Sequence, residues 1–178
     1  MRLFTAIALP ESVARPLMLL QAGVPGARWQ AREQLHLTLR FIGEVDGAMV
    51  GEIDDALAAI AAPGFTLELK GTGSFGGRKP RDLWAGVAPN EVLLRLGRKI
   101  ESALQRIGLE AEARKFTPHV TLARLRNSPP GAVMDYLTDH ALYASAAFEV
   151  TAFCLFSSKL TGDGSIYRVE KEYGLRGT

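Results

Sequence analysis

The chain uses one phrase twice. Residues 35–41 read Leu-His-Leu-Thr-Leu-Arg-Phe and residues 118–124 read Pro-His-Val-Thr-Leu-Ala-Arg. His-x-Thr-Leu therefore recurs at His36 and His119, 83 residues apart in a chain of 178, and His140 is the only other histidine. For uncorrelated positions, the odds of two such matches are on the order of one in ten thousand. Both copies lie in alternating runs. In a strand, residues i and i+2 share a face. His36 and Thr38 then project together, as do His119 and Thr121, while Leu35, Leu37 and Leu39 take the opposite, buried face. A repeat at half-length spacing suits a duplicated architecture in which two imidazole–hydroxyl pairs face one groove.

The remaining residues supply elements for two such halves. Arg2 to Leu9 reads as a buried strand. A helix is expected from Pro10-Glu11-Ser12 to about Ala22, with Val13, Leu17 and Leu20 on one face. The first motif strand runs Leu35 to Ile42 and ends at Gly43. Helices are expected over Ala48–Ala61 and from the Asn90 cap to about Ile107, with strands over Phe65–Leu69 and Asp82–Ala88. Gly71–Pro80 reads as a basic, glycine-rich loop or irregular hairpin. The second motif strand falls within Phe116–Leu125, followed by a helix over about Ala132–Asp139. Strands over Ala146–Ser157 and Ser165–Tyr173 form a terminal hairpin across Gly162-Asp163-Gly164. Interleaved strands and helices of this kind indicate an α+β fold in a single domain.

Composition removes whole classes of function. Apolar residues make up 47% of the chain, enough for a core and too many for intrinsic disorder. A net charge of +2 excludes a broad polyanion-binding coat, so any nucleic-acid contact is a local patch. The single cysteine, Cys154, excludes a disulfide framework and a multi-cysteine zinc site. A histidine-based zinc site would need His140 as a third ligand, and His140 fits no ligand spacing. Gly73–Gly77 lacks the Gly-Lys-Ser/Thr ending of a phosphate loop. No metal and no cofactor are expected. No 18-residue stretch is free of charge, and Met1–Pro10 is too short for a signal-peptide core. A soluble, cytoplasmic monomer without a membrane partner is the expectation.

Two imidazoles and two hydroxyls suit phosphodiester hydrolysis without a metal. One imidazole deprotonates water and the other protonates the leaving oxygen, both forms being available near an ordinary pKa of about 6.5. Threonine hydroxyls donate to the non-bridging oxygens, where charge builds in the transition state. The spacing identifies the pair but does not say which histidine is the acid.

These motifs resemble those of the two-histidine (2H) phosphoesterases. More closely, the chain is similar to the bacterial RNA 2′,3′-cyclic phosphodiesterases, historically called 2′-5′ RNA ligases. The likeness runs through Arg2–Ile7, His36–Leu39 with Phe41-Ile42-Gly43, Gly73–Gly76 with Trp84, Phe116–Arg124, Leu160, Gly164 and Tyr167. It implies a bilobal α+β fold of two pseudo-symmetric lobes over residues 1–178. The two antiparallel sheets would face a central groove, with helices outside and the motifs on central strands. It implies hydrolysis of RNA 2′,3′-cyclic phosphate ends, or of cyclic nucleotides, to 2′-phosphomonoesters. It assigns His36 as proton donor and His119 as proton acceptor. An arginine follows the second motif in the family, as Arg124 does here. At Ser157, where members often carry an arginine, this chain departs.

Several residues stay open between a functional and a structural role. Simple alternation puts Arg124 on the Leu122 face, away from His119, unless a bulge redirects it. The same alternation puts Arg40 beside His36 as a second phosphate candidate. The basic stretches 69–81 and 113–134 could line an RNA groove or be solvated faces. Phe75 could stack a base, and Phe4 could do so or pack in the core. Two rival functions also stand: an RNA-end or nucleotide binding module without turnover, and a reversible 2′-5′ RNA ligase using the same site.

Overall fold

The computed structural model describes residues 1–177. In chain order it contains β1 (Arg2–Ala8), α1 (Glu11–Met18), β2 (Ala27–Trp29), a 3₁₀ turn (Arg32–Gln34), β3 (His36–Glu44), α2 (Gly47–Ala58), β4 (Phe65–Leu67) and β5 (Leu69–Gly73). It continues with β6 (Asp82–Val87), α3 (Glu91–Arg106), β7 (His119–Leu125), α4 (Pro130–Asp139), β8 (Phe148–Val150), β9 (Ala152–Thr161) and β10 (Gly164–Gly174). The α+β expectation is met. One antiparallel half-sheet has the order β10-β9-β1-β3; the other is β7-β6-β5, with β2 also on β7. The halves are not separate sheets. They join through a single pair, Leu37 with Val120, into one eight-stranded sheet. Those two residues are the central positions of the two His-x-Thr motifs.

Helix burial follows the apolar periodicity. Leu93, Leu96, Ile100 and Leu104 of α3 are all buried, and the Asn90 side chain caps the helix by accepting from the Leu93 N–H at 3.0 Å. Helix α1 stops at Met18, short of the expected Ala22. There the bonding gives way to i→i−3 contacts from Leu19, Leu20 and Gln21, and Leu19 lies exposed. Two expected single strands each divide in two. At Glu68 and Thr151 the chains leave a small β4–β8 ribbon and enter the main sheet as β5 and β9. Alternation continues through Glu68, whereas at Thr151 the core-facing set passes from Phe148 and Val150 to Phe153 and Leu155.

The bulges in the motif strands decide where the site residues point. In β3, Arg40 pairs with Thr5 and Thr38 with Ala6, which leaves Leu39 as an extra residue. In β7, Ala123 pairs with Leu83 and Thr121 with Trp84, which leaves Leu122 as an extra residue. The two bulges fall three residues after each histidine. A bulge reverses the alternation beyond it. Arg40 and Ala123 therefore turn to the buried side, while Phe41 and Arg124 turn out. Gly43 does not end its strand as expected. It continues β3 with φ 94°, opposite Leu3, at a further shift of register.

Arg40 is thus no groove residue. It is 8% exposed and ion-paired with Glu101 of α3, and its guanidinium also donates to the carbonyls of Phe41 and Glu110. Removing one partner of a buried pair strands the other charge, at a cost of about 3–5 kcal/mol. Arg40→Ala is expected to lower the unfolding free energy by about that amount in urea titration. A loss comparable to that at an exposed arginine would contradict the structural role.

Candidate active site

The two histidines are held alike. In each half the imidazole bonds a carbonyl two residues upstream. His119 Nδ1 donates to the Thr117 carbonyl at 2.6 Å. His36 bonds the Gln34 carbonyl, and its Nε2 lies 2.9 Å from Thr38 Oγ1. The bond from Nδ1 to a backbone carbonyl selects the tautomer of His119. Thr38 and Thr121 lie two residues after their histidines and share their intermediate exposure.

The surroundings of the two rings differ. His36 packs among aromatics: Phe4 at 4.9 Å, Phe156 at 6.0 Å and Tyr167 edge-on at 5.1 Å between ring centroids. Phe4, Ala6, Cys154 and Phe156 form a buried cluster of their own. Phe4 therefore packs in a core as well as lining the site. Its neighbour Phe156 was missed in the sequence, because Cys154 and Phe156 alternate with Phe153 and Leu155 of the main core and the four read as one apolar run. His119 meets Phe75 edge-on at 5.1 Å and Trp84 at 5.7 Å. Gly73 pairs opposite Trp84, and any Cβ there would strike the indole ring. The Phe75 loop is fastened by the buried carboxylate of Asp82, which accepts the Phe75 N–H at 2.8 Å.

Arg124 sits where the bulge directs it, exposed and opposite Arg28 of β2. Its charge acts on His36 across the groove. Burial among the aromatics, reinforced by Arg124 and His119, lowers the His36 pKa from 6.5 to about 4. Ser157 has its hydroxyl committed to Glu170 at 2.6 Å. His140 caps α4, and its ring lies tilted against Tyr136 at 4.4 Å between centroids. Among the described residues, no group of three or more His, Cys, Asp or Glu is placed to hold a metal ion. No helix among them is long and apolar enough to cross a membrane.

A depressed histidine links stability to pH. The folded chain favours neutral His36, so its contribution is full above the unfolded value of 6.5, declines as the pH falls, and is gone below about 4. The amount is about 3 kcal/mol. The slope of unfolding free energy against pH between these values is expected to shrink in His36→Phe. An unchanged slope would remove His36 from the linkage.

The family model described as LigT like Phosphoesterase matches residues 7–84 and 86–167, one stretch around each motif. The chain belongs to the LigT-like phosphoesterase family. This LigT-like chain is 33% identical over 185 residues to a Thermotoga maritima protein named RNA 2′,3′-cyclic phosphodiesterase, covering 99% of this chain and 97% of that one. An Escherichia coli protein of the same name is 34% identical over 155 residues, covering 82% and 87%. Among solved structures, a Thermus thermophilus protein superposes with a TM-score of 0.84 at 28% identity, covering 99% of both chains. Escherichia coli LigT complexed with 3′-AMP gives 0.82 at 29%, covering 99% and 98%.

Proposed function

We propose that this LigT-like phosphoesterase hydrolyses RNA 2′,3′-cyclic phosphate ends to 2′-phosphomonoesters by a two-histidine mechanism without a metal. The observation that carries the reading is the pair of imidazoles, each bonded to a carbonyl two residues upstream and each followed two residues on by a threonine of the same strand face. The relatives' name, RNA 2′,3′-cyclic phosphodiesterase, supports the cyclic-phosphate substrate. His119 Nε2 takes a proton from water as the water oxygen bonds to phosphorus. The bond from phosphorus to O3′ breaks, and O3′ takes a proton from His36. The hydroxyls of Thr38 and Thr121 donate to the non-bridging oxygens, and Arg124 balances the charge growing there. Residues 1–178 act as one domain of two pseudo-symmetric lobes, because each lobe supplies one histidine and one threonine.

The test is incubation with 2′,3′-cyclic AMP and with an oligonucleotide ending in a cyclic phosphate, with and without EDTA. The expected products are 2′-phosphates, at equal rates in both conditions. Tight binding without product would indicate a binding module. Formation of 2′-5′ linkages would indicate a ligase.

A further inference from the structure

Two basic stretches that are far apart in sequence meet at one end of the groove. Arg124 and Arg126 lie at the end of β7, Arg78, Lys79 and Arg81 on the loop between β5 and β6, and Arg28 on β2. The main chain fastens them together. Arg28 pairs with Arg124, the Leu125 N–H donates to the Arg81 carbonyl at 2.9 Å, and the Arg126 N–H donates to the Gly26 carbonyl at 3.0 Å. The loop is tied to the reaction centre through Phe75, whose ring stands 5.1 Å from His119.

All six cations are exposed, and none forms an ion pair within 4.0 Å among the described residues. Asp82, which pairs with Arg124, is buried and bound to Phe75. Arg28 donates to the carbonyl of Asp163, which uses one of its five N–H groups and none of its charge. Ala8 pairs with His36 and borders a recess lined by Glu149 and Glu172. A chain with a net charge of only +2 thus concentrates unneutralised positive charge on one side of its site. Such a field gathers polyanions. A cyclic mononucleotide has one phosphate and needs only the centre. A strand attached to it brings further phosphates, and these need cations beyond the centre.

We infer that the β2–β7–β6 end is the track for the single-stranded RNA leading to the cyclic phosphate, with Arg28, Arg78, Lys79, Arg81 and Arg126 meeting its backbone. The inference rests on the hydrolytic reading of the site. It makes an oligonucleotide end, more than a free cyclic nucleotide, the preferred substrate.

The test compares 2′,3′-cyclic AMP with a short single-stranded oligoadenylate ending in a 2′,3′-cyclic phosphate, at rising KCl. For the wild type, log kcat/KM on the oligonucleotide is expected to fall with log salt by about 0.7 per phosphate contact, and only weakly on cyclic AMP. The double variant Arg78→Glu/Lys79→Glu and the single variant Arg126→Glu are each expected to lower oligonucleotide kcat/KM roughly tenfold, to reduce its salt slope, and to leave cyclic AMP turnover unchanged. Equal effects on both substrates, or none on either, would overturn the track. If the wild type turns over neither substrate, the hydrolytic reading fails by itself. Fluorescence anisotropy with a 3′-phosphate-ended oligoadenylate then tests the track separately. Salt-dependent binding weakened by these variants supports it, and absence of binding overturns it.

Discussion

His36→Ala and His119→Ala are each expected to lower kcat on 2′,3′-cyclic AMP by about 10²–10⁴-fold, the usual contribution of a positioned acid or base. Loss of both should cost little more than loss of one, because the two act in one concerted proton exchange. The pH profile separates their roles. Burial and the charges of Arg124 and His119 disfavour the imidazolium and lower the His36 pKa to about 4. At neutral pH, about one free molecule in a thousand then carries the His36 proton. A bound phosphate anion reverses the sign of the local field and favours the imidazolium. The His36 limb should therefore appear near 4 in kcat/KM, which reports free enzyme, and move upward in kcat, which reports the complex. Each alanine variant should lose one limb of the bell. Near wild-type turnover in either variant would end the two-histidine reading.

Much of this was legible from the amino acids because strand alternation and helix periodicity are local rules. Leu35, Leu37 and Leu39 are buried as alternation requires, and Asn90 caps α3 through its own side chain. The repeated His-x-Thr phrase by itself puts each histidine on the same face as its threonine. What was not legible depends on pairing partners. Alternation put Arg40 in the groove and Arg124 out of it, and the bulges at Leu39 and Leu122 exchange the two. Neither bulge has a residue signature, since leucine is an ordinary strand residue and each bulge exists only in relation to β1 or β6. The small ribbon of β4 and β8 escaped for the same reason. The basic stretches were visible separately, but only the pairing of β7 with β2 and β6 brings Arg28, Arg81 and Arg126 together.

The exchanged pair of arginines sets up the second large effect. Arg124→Ala is expected to lower kcat/KM on cyclic AMP by about 10²–10³-fold, the range for removing one group that meets developing charge. Position 41 is the structural equivalent of position 124, because each follows its histidine by five residues across an identical bulge. Yet position 41 holds Phe41, stacked over Phe4 at 6.5 Å with the Arg2 guanidinium 5.0 Å above its ring. The two equivalent strand positions thus differ: position 124 is itself a cation, whereas position 41 is an aromatic ring with Arg2 packed over it. A purely structural role would give a different signature. Arg124 is exposed, so its loss should leave the unfolding free energy within about 0.5 kcal/mol of wild type while activity falls. It should also move the His36 limb of kcat/KM upward, because one of the charges that depresses it is gone. Arg124→Lys should keep the limb near its wild-type position, since the charge remains, while recovering only part of the rate because the planar fork is lost. Lost activity with an unmoved limb in Arg124→Ala would place the arginine away from His36 and leave the bulge without a catalytic consequence.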